Sequence, residues 1–219
     1  GPQEPEPGPF QEDVAIAQAA ALTGLVTVTL DAVRGEADGV GAKVGDDEFV
    51  YNEDEDRWET SQEYGQAGYT WTLDYFVQYL NAGNLPVMDV EDAQSMRYWF
   101  EGTAEYGAGG VTSRQEHSAL LSVVGLHTDT LTVYGGGDYT VEYAANGETS
   151  LHEAEWALDQ DGVVQPELGC PAGEVTADLA PYELRVTFDG SESVDYVLVD
   201  DESDPVAGGT GSTTIDCGI

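Results

Sequence analysis

The sequence predicts an all-β fold, an antiparallel meander that forms a sandwich or a barrel, with a short N-terminal helix. Three observations carry this prediction. Polar and apolar residues alternate along several long segments, turn dipeptides separate these segments at intervals of about 8–12 residues, and 219 residues suffice for one sizeable core. We therefore expect a single β-rich domain over residues 11–219, in which residues 166–219 form a C-terminal subsheet.

A proline-rich leader precedes this domain. Residues 1–10, GPQEPEPGPF, contain four prolines, a composition that favours extended polyproline conformation and is typical of linkers. In an exported protein such a leader separates the folded body from an anchor. We therefore expect an extracellular or cell-surface protein. Such a protein can be attached to the cell by a lipid anchor upstream of the leader.

A short helix is predicted over residues 11–23, because strong helix formers follow early acidic residues there. Gly24 marks the expected end of this helix. Residues 25–33, LVTVTLDAV, alternate Val and Thr and favour a strand. The alternative is one helix that continues to Val33, with Gly24 in its interior at a cost of about 1 kcal/mol.

The clearest strand signals lie in the middle of the chain. Residues 69–80 alternate so that Tyr69, Trp71, Leu73, Tyr75, Val77 and Tyr79 share one face, and residues 96–106 follow the same pattern. We expect these two strands to be central and their aromatic face to be core. Further strands are predicted around residues 49–51, 57–60, 117–123, 131–133, 139–143, 149–158, 182–188 and 194–198.

Turn residues separate the predicted strands. Asn146-Gly147 and Asp189-Gly190 are dipeptides that take the positive φ angles of tight hairpin turns. The glycine-rich segment 135–138 is expected to be a short loop between two strands. Together with the one-sided alternation, these turns predict a sheet with one packed face and one wet face.

The charge balance excludes two classes of partner. The chain has 43 Asp and Glu residues against 6 Lys and Arg, a net charge of −37. Nucleic acid and anionic membrane surfaces both require basic patches that this composition does not supply. Such a charge makes the compact state repel itself unless salt screens it, which favours a salt-adapted microbial origin. The alternative is an ordinary acidic exported protein that its charge keeps soluble.

The two cysteines predict a disulfide. Cys170 and Cys217 each lie in a turn-like context, and neither belongs to a CxxC motif that would indicate zinc or dithiol chemistry. A bridge between them closes a loop that contributes about 4 kcal/mol in the loop-entropy model. It also indicates an oxidising compartment.

No catalytic motif is present, so the sequence predicts a protein that is not an enzyme. His152-Glu153 begins a zinc-protease motif, but Trp156 occupies the position of the second histidine. The glycine-rich segment 208–212 lacks the G-x-S-x-G pattern of a serine nucleophile. Paired carboxylates of the glycosidase type carry no information among 43 acidic residues.

Acidic turns are the only cofactor signal. Asp54 and Asp56 lie in one predicted turn, and Asp200 and Asp201 lie in another, and both clusters are candidate Ca²⁺ ligands. An EF-hand is excluded because Arg57 stands where that loop needs glycine. No other cofactor is expected.

Two tryptophans are candidate ligand-binding residues. Trp99 and Trp156 fall on the strand parity opposite to the expected core, and exposed aromatic side chains on a sheet stack against sugar rings. The alternative is a second buried layer that covers this face.

The sequence therefore favours a non-enzymatic exported structural or binding protein. The further hypotheses are a filament subunit that binds itself by exchange of its N-terminal segment, and a carbohydrate-binding or carbohydrate-active protein with surface glycans as partners.

Overall fold

A computed structural model describes residues 9–37, 49–145, 148–166 and 169–217. It confirms the all-β prediction, because one N-terminal helix is followed by a long antiparallel meander in a sandwich-like or barrel-like arrangement. The hairpin at Asp189-Gly190 is confirmed, with Gly190 at a φ of 83°. Asn146-Gly147 and residues 1–8 of the predicted leader lie outside the described residues.

The helix α1 spans Pro9–Ala37. The strands are β1 Val50–Asn52, β2 Arg57–Gln66, β3 Tyr69–Leu80, β4 Pro86–Val87, β5 Ser95–Ala108, β6 Val111–Val124, β7 Thr130–Ala145, β8 Glu148–Leu158, β9 Val163–Pro166, β10 Ala172–Leu179, β11 Tyr182–Asp189, β12 Ser193–Val199 and β13 Pro205–Thr214. A short 3₁₀ turn, Val90–Asp92, precedes β5.

All strands belong to one antiparallel sheet. Its main order is β1-β2-β3-β5-β6-β7-β8-β10-β11-β12-β13, with β4 paired to β3 and β9 paired to β7 and β10. The predicted strand over residues 69–80 has the bounds of β3, and the one over 96–106 lies within β5. The strands β10–β13 continue this sheet through the pairing of β10 with β8.

The prediction of a short helix followed by a strand over residues 25–33 is wrong, because α1 continues through both segments. Its β-branched threonines are accommodated locally. Thr23, Thr27 and Thr29 each donate a side-chain hydrogen bond of 2.8 Å to the carbonyl four residues earlier. Burial of the helix against the sheet outweighs the strand propensity of this segment.

The helix and one face of the sheet share a single core. Buried side chains recur on α1 at helical spacing, namely Ala15, Ala19, Leu22, Val26, Leu30 and Val33. They pack with buried residues from β3 through β13. Eleven strands laid flat would span about 50 Å, whereas a helix is about 10–12 Å wide. The sheet must therefore curve for one helix to share its core. The side of the sheet that faces α1 is called the inner face, and the opposite side the outer face.

Glycines 135–137 lie inside β7, so the predicted loop at 135–138 is wrong. A Cβ atom built on Gly135, Gly136 or Gly137 would collide with the backbone carbonyl oxygen of Leu120, Trp156 or Ser118, respectively. These glycines therefore permit a close approach of three adjacent strands rather than a turn.

The disulfide between Cys170 and Cys217 is confirmed, with the two Cα atoms 4.8 Å apart. It joins the segment before β10 to the residues after β13, and both cysteines are buried. The bridge spans a sequence separation of 47 residues, so it restricts the unfolded chain across the whole of β10–β13.

One segment of α1, Glu12–Gly35, is long and apolar enough to cross a membrane by length and composition alone. Its most apolar window has a mean hydropathy of 1.6, and half of that window is buried within the fold. Core helices and signal sequences share these properties. The apolar helix and the disulfide both fit an exported protein.

Candidate functional site

The long central strands extend beyond the core, and their register determines what each face presents. Residues paired across antiparallel strands lie on the same face, and so do residues two apart along a strand. Tyr75 pairs with Phe100, which pairs with Ala119, and these residues are on the core side. Positions of the same parity toward the far ends of β2–β8 therefore also belong to the inner face.

We call this continuation the open inner face. It consists of Gln62, Tyr64, Gln66, Tyr69, Trp71, Leu73, Gly102, Ala104, Tyr106, Ser113, Gln115, His117, Val141, Tyr143, Ser150 and His152. None of these residues is Asp, Glu, Lys or Arg, in a chain with 43 acidic residues among 219. The face ends on β8 at Ser150, because the next position of this parity is Glu148, the register partner of Ala145. The open inner face thus carries no carboxylate and no lysine or arginine side chain.

Five residues of the open inner face are Tyr or Trp. Tyr64 pairs with Trp71, and their ring centroids are 6.4 Å apart with an interplanar angle of 32°. In the neighbouring row Tyr69, Tyr106 and Tyr143 lie on β3, β5 and β7. Tyr64 is 47% exposed, and Tyr106 and Tyr143 are each 50% exposed. These rings are consequently available to a ligand.

The prediction that the whole aromatic face of residues 69–79 is core holds only for part of the strand. Tyr79 is 1% exposed, and Val77 is fully buried beside it. Tyr69 and Trp71 are only half-buried, because they lie beyond the core. Strand parity identifies the face correctly, but the end of the core depends on where the remaining elements pack.

His117 marks the boundary between the core and the open inner face. Its ring contacts that of Phe100 at 5.4 Å between centroids, and Gly102 is its register partner on β5. Burial lowers the pKa of His117 below its usual value. The imidazole is therefore neutral at neutral pH, in keeping with the uncharged character of the surface.

The outer face has the opposite character. A row of register partners crosses it as Asp74–Glu101–Ser118–Asp138–Glu155–Asp178–Glu183. Like charges directly opposite one another destabilise a sheet in low salt. Carboxylates thus cross the outer face of the same strands whose open inner face has none.

Trp99, a candidate for sugar stacking, lies half-buried on the outer face. Its ring packs against Phe76 at 4.8 Å between centroids. The guanidinium carbon of Arg57 lies 4.2 Å from the Phe76 centroid and 5.7 Å from that of Trp99. Arg57 also pairs with Glu59 at 2.7 Å. Because the Arg57 guanidinium packs against these rings, they are less accessible to a sugar than the rings of Tyr64 and Trp71.

Trp156, the other tryptophan candidate, lies on the inner face within the core. It is 2% exposed, and its Nε1 atom is buried without a hydrogen-bond partner. Its register partners on β7 and β10 are Gly137 and Ala177, whose small size leaves room for the indole. A ligand on the protein surface does not reach this side chain.

The Ca²⁺ candidates lie in two separate turns. Asp54 and Asp56 are in the β1–β2 turn, where the Asn52 side chain accepts hydrogen bonds from the backbone of Asp54 and Glu55. Asp200 and Asp201 follow β12, and one Asp200 oxygen accepts backbone bonds from Glu202 and Asp204. Within the described ranges, no group of three or more His, Cys, Asp or Glu residues is arranged to hold a metal ion.

Comparison of the chain with protein-family models, with curated proteins and with solved structures finds no match. The fold and the open inner face therefore supply the arguments about function. Chemically, that face offers aromatic rings for stacking, and amides, hydroxyls and imidazoles for hydrogen bonding.

Proposed function

We propose that this protein is an exported, non-enzymatic binding protein of a salt-adapted microbe, and that its open inner face binds neutral carbohydrate. One observation carries the proposal. The open inner face extends over six adjacent strands as far as Glu148 and contains no Asp, Glu, Lys or Arg, in a chain whose net charge is −37. Charge elsewhere keeps this chain soluble, so an uncharged aromatic surface is explained by contact with an uncharged ligand.

The residue types suit a sugar ligand. The apolar faces of pyranose rings stack on Trp and Tyr, and Trp71 lies beside Tyr64 in an arrangement that presents two neighbouring rings. Gln62, Gln66 and Gln115 lie between the aromatic positions and offer both donors and acceptors to hydroxyl groups. A polyanionic ligand, by contrast, would be repelled by the surrounding carboxylates.

Screening of charges at high salt also supports a neutral ligand for the open inner face. At about 2 M salt the Debye length is below about 3 Å, and charge-steered recognition is lost. Stacking and hydrogen bonding to a neutral ligand persist under these conditions. An exported protein of a salt-adapted organism therefore gains from a binding surface that does not depend on charge. The proline-rich leader would serve as the spacer between this surface and its cell-envelope anchor.

The test is calorimetric titration of the full chain with neutral oligosaccharides in about 2 M KCl, where self-repulsion is screened. Suitable probes are cellohexaose, maltohexaose and a linear mannohexaose. We expect Trp71→Ala to weaken binding of the recognised sugar about tenfold, because one aromatic stacking contact contributes about 0.5–1.5 kcal/mol beyond area burial.

Trp99→Ala on the outer face is the matched control, since it removes the same side chain from the opposite side of the sheet. It should leave the affinity unchanged. Equal losses in both variants would contradict the assignment of the open inner face. Absence of binding to all three sugars would count against carbohydrate as the ligand.

A second candidate function, self-assembly, is favoured by the edge strand β13. This strand pairs only with β12 within the described residues, and its ten residues, PVAGGTGSTT, carry no charge. Long uncharged edges are templates for strand addition, which proteins usually block with charged residues. We propose that the N-terminal segment of a second copy adds to this edge to form a filament.

This candidate is tested by light scattering and negative-stain microscopy of the full chain and of a chain without residues 1–10. Fibres that disappear on truncation, and also in Thr210→Lys on β13, would support strand addition. Thr70→Lys on β3 is the control for added charge away from the edge. A monomer under all conditions would exclude this function and leave the binding protein.

A further inference from the structure

A cavity of about 600 Å³ lies at the C-terminal end of α1. Its walls come from the last turn of α1, the 3₁₀ turn, the β6–β7 turn, and β7 and β9. Polar side chains in the lining include Arg34, His127, Asp129 and Gln165. The cavity is remote in the fold from the far ends of β2–β8 that form the open inner face, so it is independent of the function proposed above.

Gln165 is the unusual residue in this wall. It is fully buried on β9, beside Leu131 of β7, and neither its Oε1 nor its Nε2 atom has a hydrogen-bond partner. Leaving a buried polar group unpaired costs about 1–3 kcal/mol. Most buried side-chain polar atoms in proteins are hydrogen-bonded. A buried amide that lines a cavity therefore indicates a partner that occupies the cavity.

Arg34 adds a charge to the same wall. Its Nη1 atom is buried and has no hydrogen-bond partner. Its position in the last turn of α1 is favourable for a cation because of the helix dipole. The dipole does not supply an acceptor for the buried N–H group. Two residues that line the cavity thus carry three buried, unpaired atoms, the donors Arg34 Nη1 and Gln165 Nε2 and the acceptor Gln165 Oε1.

We propose that this cavity binds a small carboxylate that carries a hydroxyl or amino group on the adjacent carbon. The carboxylate oxygens accept from Arg34 and from Gln165 Nε2, and the adjacent hydroxyl or ammonium donates to Gln165 Oε1. Each unpaired atom of the two side chains is then satisfied by one ligand. The volume of about 600 Å³ leaves room for a further substituent on the ligand.

His127 and Asp129 complete the surroundings. The His127 Nε2 atom lies 2.8 Å from the carbonyl oxygen of Val90 and, as the donor, holds the 3₁₀ turn beside the cavity. Its Nδ1 atom then remains as an acceptor when the ring is neutral. Asp129 is exposed in the same lining. It offers a counter-charge to the ammonium of an amino acid, but not to a hydroxy acid.

The test is calorimetric titration of the full chain in about 2 M KCl with four probes of similar size. L-Lactate and L-alanine carry both groups of the proposed ligand. Propionate lacks the adjacent donor, and lactamide lacks the carboxylate. We expect lactate or alanine to bind at least about tenfold more tightly than both controls, a difference of about 1.4 kcal/mol. The preference between lactate and alanine identifies the donor group.

The variants Gln165→Leu and Arg34→Met should each weaken that binding at least about tenfold, since each removes a hydrogen bond to a charged group. Gln94→Leu and Arg97→Met, two exposed positions, are the matched controls and should leave it unchanged. Gln165→Leu removes only unpaired polar atoms and should fold, so it decides the result if Arg34→Met does not fold. No heat from lactate or alanine, or binding that Gln165→Leu leaves intact, would overturn the proposal.

Discussion

The imidazole of His117 on β6 fills the space above Gly102 on β5. A Cβ atom built on Gly102 would lie 2.6 Å from His117 Nε2 and 2.8 Å from Cε1, and 2.9 Å from Leu73 Cδ1. The absence of a side chain at residue 102 therefore sets the position of the histidine. This pair closes the core at the point where the open inner face begins.

Substitution of Gly102 is expected to destabilise the protein. Gly102→Ala forces His117 and Leu73 to move, and overpacking of this kind costs about 1–3 kcal/mol. Urea denaturation in about 2 M KCl measures the loss. Gly107→Ala on the same strand is the control, because its Cβ would meet Thr112 Cγ2 at an ordinary 3.7 Å. Equal stability of the two variants would show that His117 repacks freely.

His117 should also give the fold a dependence on pH. Burial lowers its pKa in the folded state, so the unfolded chain binds a proton at higher pH than the folded chain. Stability is therefore complete above a pH of about 6.5, the unfolded value. It falls as the pH drops from there toward the folded pKa.

The measurement compares the unfolding free energy of the wild type and of His117→Asn between about pH 7.5 and 5.5, above the main titration of the carboxylates. The variant should lose this part of the slope. If the difference in unfolding free energy between the two proteins stays constant over this pH range, the pH dependence does not come from His117.

Gly24 offers a stabilising substitution. It lies inside α1, and a Cβ at this position would meet nothing within 4 Å. Gly24→Ala should therefore raise the unfolding free energy by about 1 kcal/mol, because alanine loses less backbone freedom in a helix. The midpoint of urea denaturation measures this gain. A loss of stability instead would mean that the exposed side of α1 contacts another surface.

The carboxylate row of the outer face predicts a salt-dependent gain. Glu155 lies between Asp138 and Asp178 in register, so Glu155→Gln removes repulsion on both sides. We expect a stabilisation of about 0.2–1 kcal/mol at low salt. At about 1 M salt, where the Debye length is about 3 Å, the effect should disappear.

Glu153→Gln is the control for this prediction, because its partner on β7 is the uncharged Thr140. Thermal denaturation as a function of KCl concentration compares the two variants. A gain from Glu155→Gln that persists undiminished in high salt would show that repulsion within the row is not its cause.

The long strands were predictable because polar and apolar residues that alternate over many positions indicate a strand with one buried face. The bounds predicted for residues 69–80 are those of β3. What could not be predicted is how far along each strand the core reaches. Tyr69 and Tyr79 have the same parity, yet only Tyr79 is buried. That difference depends on packing between distant elements, which alternation does not record.

The two errors in secondary structure have separate physical causes. In residues 25–33 the local strand propensity of Val and Thr competes with a helical spacing of buried residues from Ala15 to Val33. That spacing was present in the sequence and would have identified the long helix. At residues 135–137 the run of glycines indicates a loop by composition alone, whereas in the fold the neighbouring strands require the small size of these residues.

The disulfide and the candidate sites also differ in how far the sequence alone could predict them. Cys170 and Cys217 were predictable because two cysteines in a predicted exported chain have one simple pairing. The open inner face was not predicted from the sequence, although the sequence carries its signal as an absence of charge at alternate positions of six strands. The unpaired atoms of Gln165 and Arg34 leave no sequence signal, because only the fold brings them to one cavity.

The helix α1 comes first among the described elements, yet its closest neighbours are the last two strands, β12 and β13. During synthesis or secretion its apolar stripe therefore emerges long before the strands that bury it. Such non-local pairing slows folding and prolongs the exposure of apolar, aggregation-prone surface. The apolar side of α1 accordingly remains exposed until the C-terminal strands have been synthesised.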